Sequence, residues 1–199
     1  MASIENTPLA AKPDRSWILW TVAIVVPCAL VLLFVLLVLT FGLSVQAFGL
    51  RPYIESGLDM SPTLRQGDRL LAELKAYATH VPERGDVVLF TRDGSENHIW
   101  LKRVIAVGGD IIQGADDKVI LNGKVLGEPY VAPIDTSKRI PDAFGPVTVP
   151  AGSLFVMGDN RQHSNDSRYF GCIDMKDLRG RAIYIYWSKD SARSWTRVR

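Results

Sequence analysis

The sequence predicts one mainly β domain behind a single apolar helix, and three observations carry that expectation. From Tyr53 onward the chain breaks into short apolar runs cut by Gly, Pro and Asp, the pattern of an all-β domain. Asn122-Gly123 stands between Val119-Ile120-Leu121 and Lys124-Val125-Leu126; both central residues of a type I′ turn need positive φ, so this dipeptide marks a hairpin. Trp17 to Leu43 runs without a charged residue for roughly 27 positions, more than the ~20 a helix needs to cross a hydrocarbon core.

In chain order, residues 1–16 are polar, hold two prolines and show no periodicity, so they read as a flexible tail. Residues 17–43 read as a transmembrane helix with Trp17 and Trp20 at the interface and Pro27 as a possible kink. The alternative is a cleaved signal peptide ending near Val45-Gln46-Ala47, but signal h-regions are only ~7–15 residues long. Lys12 and Arg15, partly offset by Glu5 and Asp14, favour an N-terminus on the cytoplasmic side.

Strands are expected over Arg69–Lys75, Asp86–Thr91, Ile99–Val107, Val119–Leu126, Ser153–Met157 and Ala182–Trp187, all within a domain spanning 53–187. Glu128–Pro150 holds five prolines and reads as a long loop, a kind that is usually functional or mobile. Residues 188–199 carry three arginines without an apolar pattern and read as a solvated C-terminal tail.

Composition excludes more than it identifies. A net charge of +2 over 199 residues argues neither for nucleic acid nor for an acidic substrate. Cys28 lies in the apolar segment and Cys172 in the polar part, so no intrachain disulfide is expected. His80, His98 and His163 are scattered and not spaced with Cys172 as metal ligands usually are, so no metal is expected. Nothing in the sequence fixes an oligomeric state.

Three segments stand out before any resemblance is considered: Asp59-Met60-Ser61-Pro62-Thr63-Leu64 followed by Gly67-Asp68, soon after the apolar span; Lys102-Arg103-Val104; and Gly158 to Arg168. In the strand 99–107, Lys102 shares its face with Trp100, Val104 and Ala106. A lysine held there without a carboxylate partner loses solvation, which favours the neutral amine and makes it a candidate general base; the plainer alternative is a lysine that snorkels from a strand edge. The run Gly158 to Arg168 packs Asp, Asn, Ser and Arg directly behind an apolar strand. Such residues hydrogen-bond the backbone and each other, giving a loop that can orient its neighbours. An EF-hand is not the alternative, since its alternate-position carboxylates and glycine are absent.

With these segments in view a resemblance becomes specific. Met60-Ser61-Pro62-Thr63-Leu64, Gly67-Asp68, Arg84-Gly85-Asp86-Val87-Val88, Lys102-Arg103-Val104 with Gly109-Asp110, and Phe155-Val156-Met157-Gly158-Asp159-Asn160-Arg161 with Ser164, Asp166, Ser167, Arg168 and Gly171 resemble signal peptidase I, in that family's order. The resemblance implies an antiparallel, barrel-like β domain with an apolar surface near the membrane. It also implies a membrane-anchored endopeptidase that removes signal peptides from exported preproteins after a small-x-small motif, using a Ser/Lys dyad and no cofactor. Its expected partners are those signal peptides and the lipid bilayer of the cell membrane, with the domain on the extracytoplasmic side. By the same resemblance Lys102 is the general base, Ser164 the hydroxyl that orients it, Asp166 and Arg168 a supporting ion pair, and Met60 and Pro62 substrate contacts.

One position departs from the pattern. The family's nucleophile is the serine before the methionine of Ser-Met-x-Pro-Thr-Leu, and here that position is Asp59. A carboxylate there is expected to pair with Lys102 and keep the amine charged, and it is itself a poor nucleophile toward an amide. The chain is therefore expected to be an inactive or very weak homologue, or a non-catalytic signal-peptide-binding protein. The active alternatives recruit Ser56, Ser61 or a water activated by Asp59. In direct register Gly57 takes the place two before the nucleophile, leaving a backbone N–H as the oxyanion donor.

Overall fold

The computed structural model describes residues 16–47, 49–92, 94, 98–133 and 143–198. The N-terminal tail, apart from Ser16, lies outside the described residues, as do residues 134–142 of the proline-rich stretch. The chain divides into two compact units, one ending at Ser44 and the other beginning at Val45.

The described part of the first unit is helical: α1 runs Ser16–Ala47, past the boundary at Ser44 and four residues further at its C-terminal end than the apolar run predicts. Trp20 to Thr40 is long and apolar enough to cross a membrane, and its side chains are exposed all round. At 32 residues the helix is about 48 Å long at 1.5 Å per residue, against a hydrocarbon core of about 30 Å. Pro27 sits inside it.

The second unit is mainly β. Its strands are β1 Leu50–Ile54, β2 Arg69–Glu73, β3 Val87–Phe90, β4 Trp100–Val107, β5 Ile111–Ala115, β6 Lys118–Leu121, β7 Lys124–Val125, β8 Phe144–Thr148, β9 Ser153–Met157, β10 Ile173–Asp174, β11 Leu178–Trp187 and β12 Thr196–Arg197. A short helix, α2, covers Ser167–Phe170. The larger sheet runs β1-β2-β11-β3-β4-β9-β10, with β12 pairing β11; the smaller runs β7-β6-β5-β8. Every strand pairing among the described residues is antiparallel. Irregularities of register interrupt β11 and the β4–β9 pairing, and such bulges bend a sheet and raise its twist.

The strand reading from sequence is borne out in its centre and incomplete at its edges. Ser153–Met157 is strand throughout, and Asn122 and Gly123 have φ of 51° and 77°, as the hairpin requires. The stretch read as one long loop contains β8, which pairs with β5. The C-terminal segment read as a solvated tail is corrected: Ser191–Arg193 forms a 3-10 turn, and Tyr184 and Ile185 of β11 pair with Arg197 and Thr196 of β12. The reason is Arg193, whose guanidinium donates to the carbonyls of Pro62 and Thr63 and to the Asp68 carboxylate.

Three apolar clusters fill the domain. Met60, Leu64, Leu70, Ala72, Val87, Leu89, Ala182 and Ile185 pack as one, and Met60 and Leu64 are its contribution from the turn that follows β1. Here the core itself fixes the height of that turn above the sheet, so the residues between Gly57 and Leu64 are seated from below.

Candidate active site

Strand β4 places two cations side by side in the interior. Lys102 and Arg103 are each 1% exposed, and successive residues of a strand face opposite ways, so the two serve different networks. The Arg103 guanidinium grips Asp159 with two bonds of 2.8 and 2.6 Å, donates to the Gly85 carbonyl at 2.7 Å and lies 4.1 Å over the Tyr130 ring centroid. Asp159 also accepts the Thr63 hydroxyl. The loop after β9 is thus bolted both to the sheet and to the turn carrying Asp59.

The Lys102 ammonium meets a different partner. Its Nζ donates to Asp59 Oδ2 at 2.5 Å, with the lysine side chain 2% and the aspartate side chain 32% exposed. It also lies 5.3 Å from the Trp100 ring centroid, which agrees with the shared face expected from strand alternation. The turn holding Asp59 is fixed through its backbone: the Asn160 N–H donates to the Asp59 carbonyl at 2.9 Å, and Asn160 Nδ2 to the Leu58 carbonyl at 3.1 Å. Gly158 lies beneath it, where an added Cβ would come within 2.5 Å of the Asp59 carbonyl oxygen and 2.3 Å of Ser164 Oγ. Glycine is required there by close approach.

The polar loop supports itself as its composition predicts. Asp166 accepts from the Arg168 guanidinium at 2.9 and 3.0 Å and from the Gly158 N–H at 3.1 Å. Arg168 also donates to the Arg161 carbonyl at 2.6 Å, and Arg161 pairs with Glu128 at 2.5 Å. Ser167 Oγ accepts the Val156 N–H. The pair Asp166–Arg168 is therefore in place.

Other expected contacts are not. Ser164 Oγ is buried and has no hydrogen-bond partner, so the bond expected between it and Lys102 is absent; the Asp59 carboxylate, a charged acceptor, holds the ammonium in its stead. Met60 is 0% exposed and belongs to the core, so its side chain anchors the turn from inside. Pro62 is exposed and its carbonyl accepts from Arg193. It is not part of the cavity wall described next.

A cavity of about 440 Å³ opens over Asp59 and Lys102, lined also by Tyr53, Glu55, Gly57 and Trp100. His98, His163 and Asn165 stand at it as exposed residues. Of the alternative hydroxyls, Ser56 lines the cavity and Ser61 does not. Glu55, which the sequence reading passed over, is 6% exposed. Its Oε1 accepts the Gly57 N–H at 2.7 Å, so that N–H, one candidate for the oxyanion donor, is already engaged. Burial, the largest influence, raises the Glu55 carboxyl above its ordinary range against the Gly57 N–H and Lys102, while Asp59 and Asp68 push it upward too. The available signal was parity: Glu55 is two residues on from Tyr53, which packs against the core, and strand alternation turns both the same way.

A buried lysine on a curled antiparallel sheet, a Met-x-Pro-Thr-Leu turn pressed against it and a rigid polar loop behind both define a scaffold of the peptide-bond hydrolase class, with Asp59 in contact with the lysine. The chain belongs to the signal peptidase family: the model described as signal peptidase, peptidase S26 matches residues 25–187. It is 36% identical over 166 residues to signal peptidase I of Bacillus licheniformis, covering 80% of this chain and 88% of that protein. It is 32% identical over 190 residues to signal peptidase I T of Bacillus subtilis strain 168, covering 92% of each. A crystal structure of a signal peptidase I from Enterococcus faecalis V583 matches with 30% identity and a TM-score of 0.45, covering 51% of this chain and 97% of that one.

Proposed function

We propose that this chain is a signal peptidase I homologue that receives the signal peptides of exported preproteins in its cavity and cleaves them weakly or not at all. The 2.5 Å contact between Lys102 Nζ and Asp59 Oδ2 is the observation that carries this reading. A Ser/Lys peptidase needs a hydroxyl within hydrogen-bond reach of a neutral amine. In this chain the amine donates to the Asp59 carboxylate instead, which fills the place such a hydroxyl would need. The carboxylate itself is resonance-stabilised and attacks amides poorly, so one residue disables nucleophile and base together. Lys102 keeps the position of the general base, Asp59 that of the nucleophile, and Ser164, Asp166, Arg168 and Gly57 those of the supporting groups.

By the same reading α1 spans the lipid bilayer of the cell membrane once, with the N-terminus cytoplasmic and the β domain outside. No cofactor takes part.

The test compares the full chain with its Asp59→Ser variant on a preprotein ending its leader in Ala-x-Ala. The variant is expected to cleave at least about 100-fold faster, since residues acting as one catalytic unit lose far more than that when one is missing. Robust cleavage by the unmodified chain overturns the reading; if Ser56→Ala or Ser61→Ala then abolishes that cleavage, the nucleophile is identified, and if neither does, a water activated by Asp59 takes its place.

A further inference from the structure

The cavity holds a second acid that the family pattern does not account for. Glu55 follows β1, is 6% exposed, and lines the cavity with Asp59 and Lys102. One of its oxygens is held by the Gly57 N–H; the other, Oε2, is buried without any hydrogen-bond partner. The two acids flank the same small residue: a Cβ placed on Gly57 would stand 3.1 Å from Glu55 Oε1 and 3.6 Å from Asp59 Oδ1. Glu55, Asp59 and Lys102 line one cavity, and Lys102 is near enough to act electrostatically on the Glu55 carboxyl.

We propose that Glu55 is a positioning residue of this site, a reserve counter-ion that takes the Lys102 ammonium whenever position 59 carries no acid. The proposal rests on the reading of Asp59 and Lys102 given above and deepens it, because a second acid of the same cavity then replaces the first as partner of the amine. Its physical basis is that an ammonium with a side chain 2% exposed needs a hydrogen-bonding partner. In Asp59→Ser the acceptors on offer are the new hydroxyl and two buried atoms without partners, Glu55 Oε2 and Ser164 Oγ. Of these only Glu55 is ionisable, and a charge-assisted bond is roughly twice as strong as a neutral one. The titratable groups facing Glu55 are Lys102 from β4, Asp59 from the turn, Asp68 ahead of β2, and Tyr53, His98 and His163 around the cavity. Replacing Asp59 removes a like charge and leaves Lys102 as the cation beside Glu55, and both changes favour the Glu55 carboxylate.

The experiment uses the full chain in detergent micelles as Asp59→Ser and as Asp59→Ser with Glu55→Gln or Glu55→Leu. The first readout is the pH profile of kcat/KM on the Ala-x-Ala preprotein. With Glu55 present, the ascending limb is expected at least one pH unit higher, so that at pH 7 the double variants turn over about tenfold faster, one unit being a factor of ten in free amine. The second readout needs no turnover: the pH at which acetic anhydride half-modifies Lys102, followed by peptide mass, is expected to fall by the same amount in the double variants. Coincident profiles and coincident modification overturn the proposal. A loss of rate without displacement along the pH axis also overturns it, because that is what a packing role gives. If the unmodified chain cleaves well, the functional reading fails, while the modification of Lys102 still decides the role of Glu55.

Discussion

Beneath Asp59 the backbone at Gly158 leaves no room for a side chain. A methyl group there would meet the Asp59 carbonyl oxygen and Ser164 Oγ well inside contact distance, and both lie in segments tied down by Asn160 and by the loop's own hydrogen bonds. Gly158→Ala is therefore expected to destabilise the domain by about 1–3 kcal/mol, the usual cost of overpacking, measurable as a lower denaturant midpoint. A larger effect is expected at Arg103, 1% exposed and bonded twice to an Asp159 that is itself 0% exposed. Arg103→Leu strands a buried carboxylate, and removing one partner of such a pair costs about 3–5 kcal/mol. Adding Asp159→Leu is expected to return part of that loss, and a double-mutant cycle checks it. These residues were legible in the sequence as a group, because Lys102-Arg103 and the run from Gly158 to Arg168 stand out by composition alone. The pairing of Asp59 with Lys102 was legible too, from the register of the Met-x-Pro-Thr-Leu turn; the partners of Arg103 and the lack of a bond from Ser164 to Lys102 were not.

Among the elements, the stretch from Ser188 to Val198 acts as a strap. Arg193 donates to the carbonyls of Pro62 and Thr63 at 2.8 and 2.7 Å and to Asp68 at 2.8 Å, and Ser188 Oγ donates to Asp68 at 2.7 Å. The strap thus clamps the turn that seats Asp59. Arg193→Ala is expected to lower stability by about 1–3 kcal/mol, the cost of leaving buried polar groups unpaired, and to reduce the kcat/KM gained by Asp59→Ser. Unchanged values of both would show that the strap is passive. Nothing in the local sequence announces it, because the partners of Arg193 lie more than a hundred positions earlier. The central strands were legible for the opposite reason. β3 and β9 bury nearly every residue and read as apolar runs, and β4 buries five of its eight, whereas β1 contains Arg51 and Pro52, and β8 contains Gly145 and Pro146, within a proline-rich stretch. Both lie at sheet edges, where proline removes no ladder bond and the apolar signal is weak. Position 55 was missed with β1, since without the strand there is no parity to assign it inward.

For the domain as a whole, acids of opposite behaviour set the dependence of stability on pH. Asp68 and Asp110 are buried, which by itself raises a carboxyl, but bonds outweigh burial in each: Ser188, the Arg65 N–H and Arg193 at Asp68, and Arg84, Asn122 and the Val107 N–H at Asp110. Both end below their ordinary value. Their stabilisation is fully present above the unfolded carboxylate range, near 4, and is lost as pH falls through the folded values, because the unfolded chain then binds more protons than the folded one. Glu55 works the other way. Its folded value lies above the unfolded one, so the folded state holds its proton longer and stability declines as pH rises from the ordinary glutamate range through the folded value. Glu55→Gln retains the acceptor for the Gly57 N–H and removes that proton linkage. Urea unfolding of the full chain in micelles between pH 3 and pH 8 is therefore expected to show the native protein and Glu55→Gln with the same midpoint at the acid end, where both lose the contributions of Asp68 and Asp110. Above the glutamate range the variant's midpoint is expected to stand higher, by a margin that grows and then levels off. Parallel curves across the whole range would mean that the buried acid does not titrate with folding and that its free oxygen is satisfied in the native state.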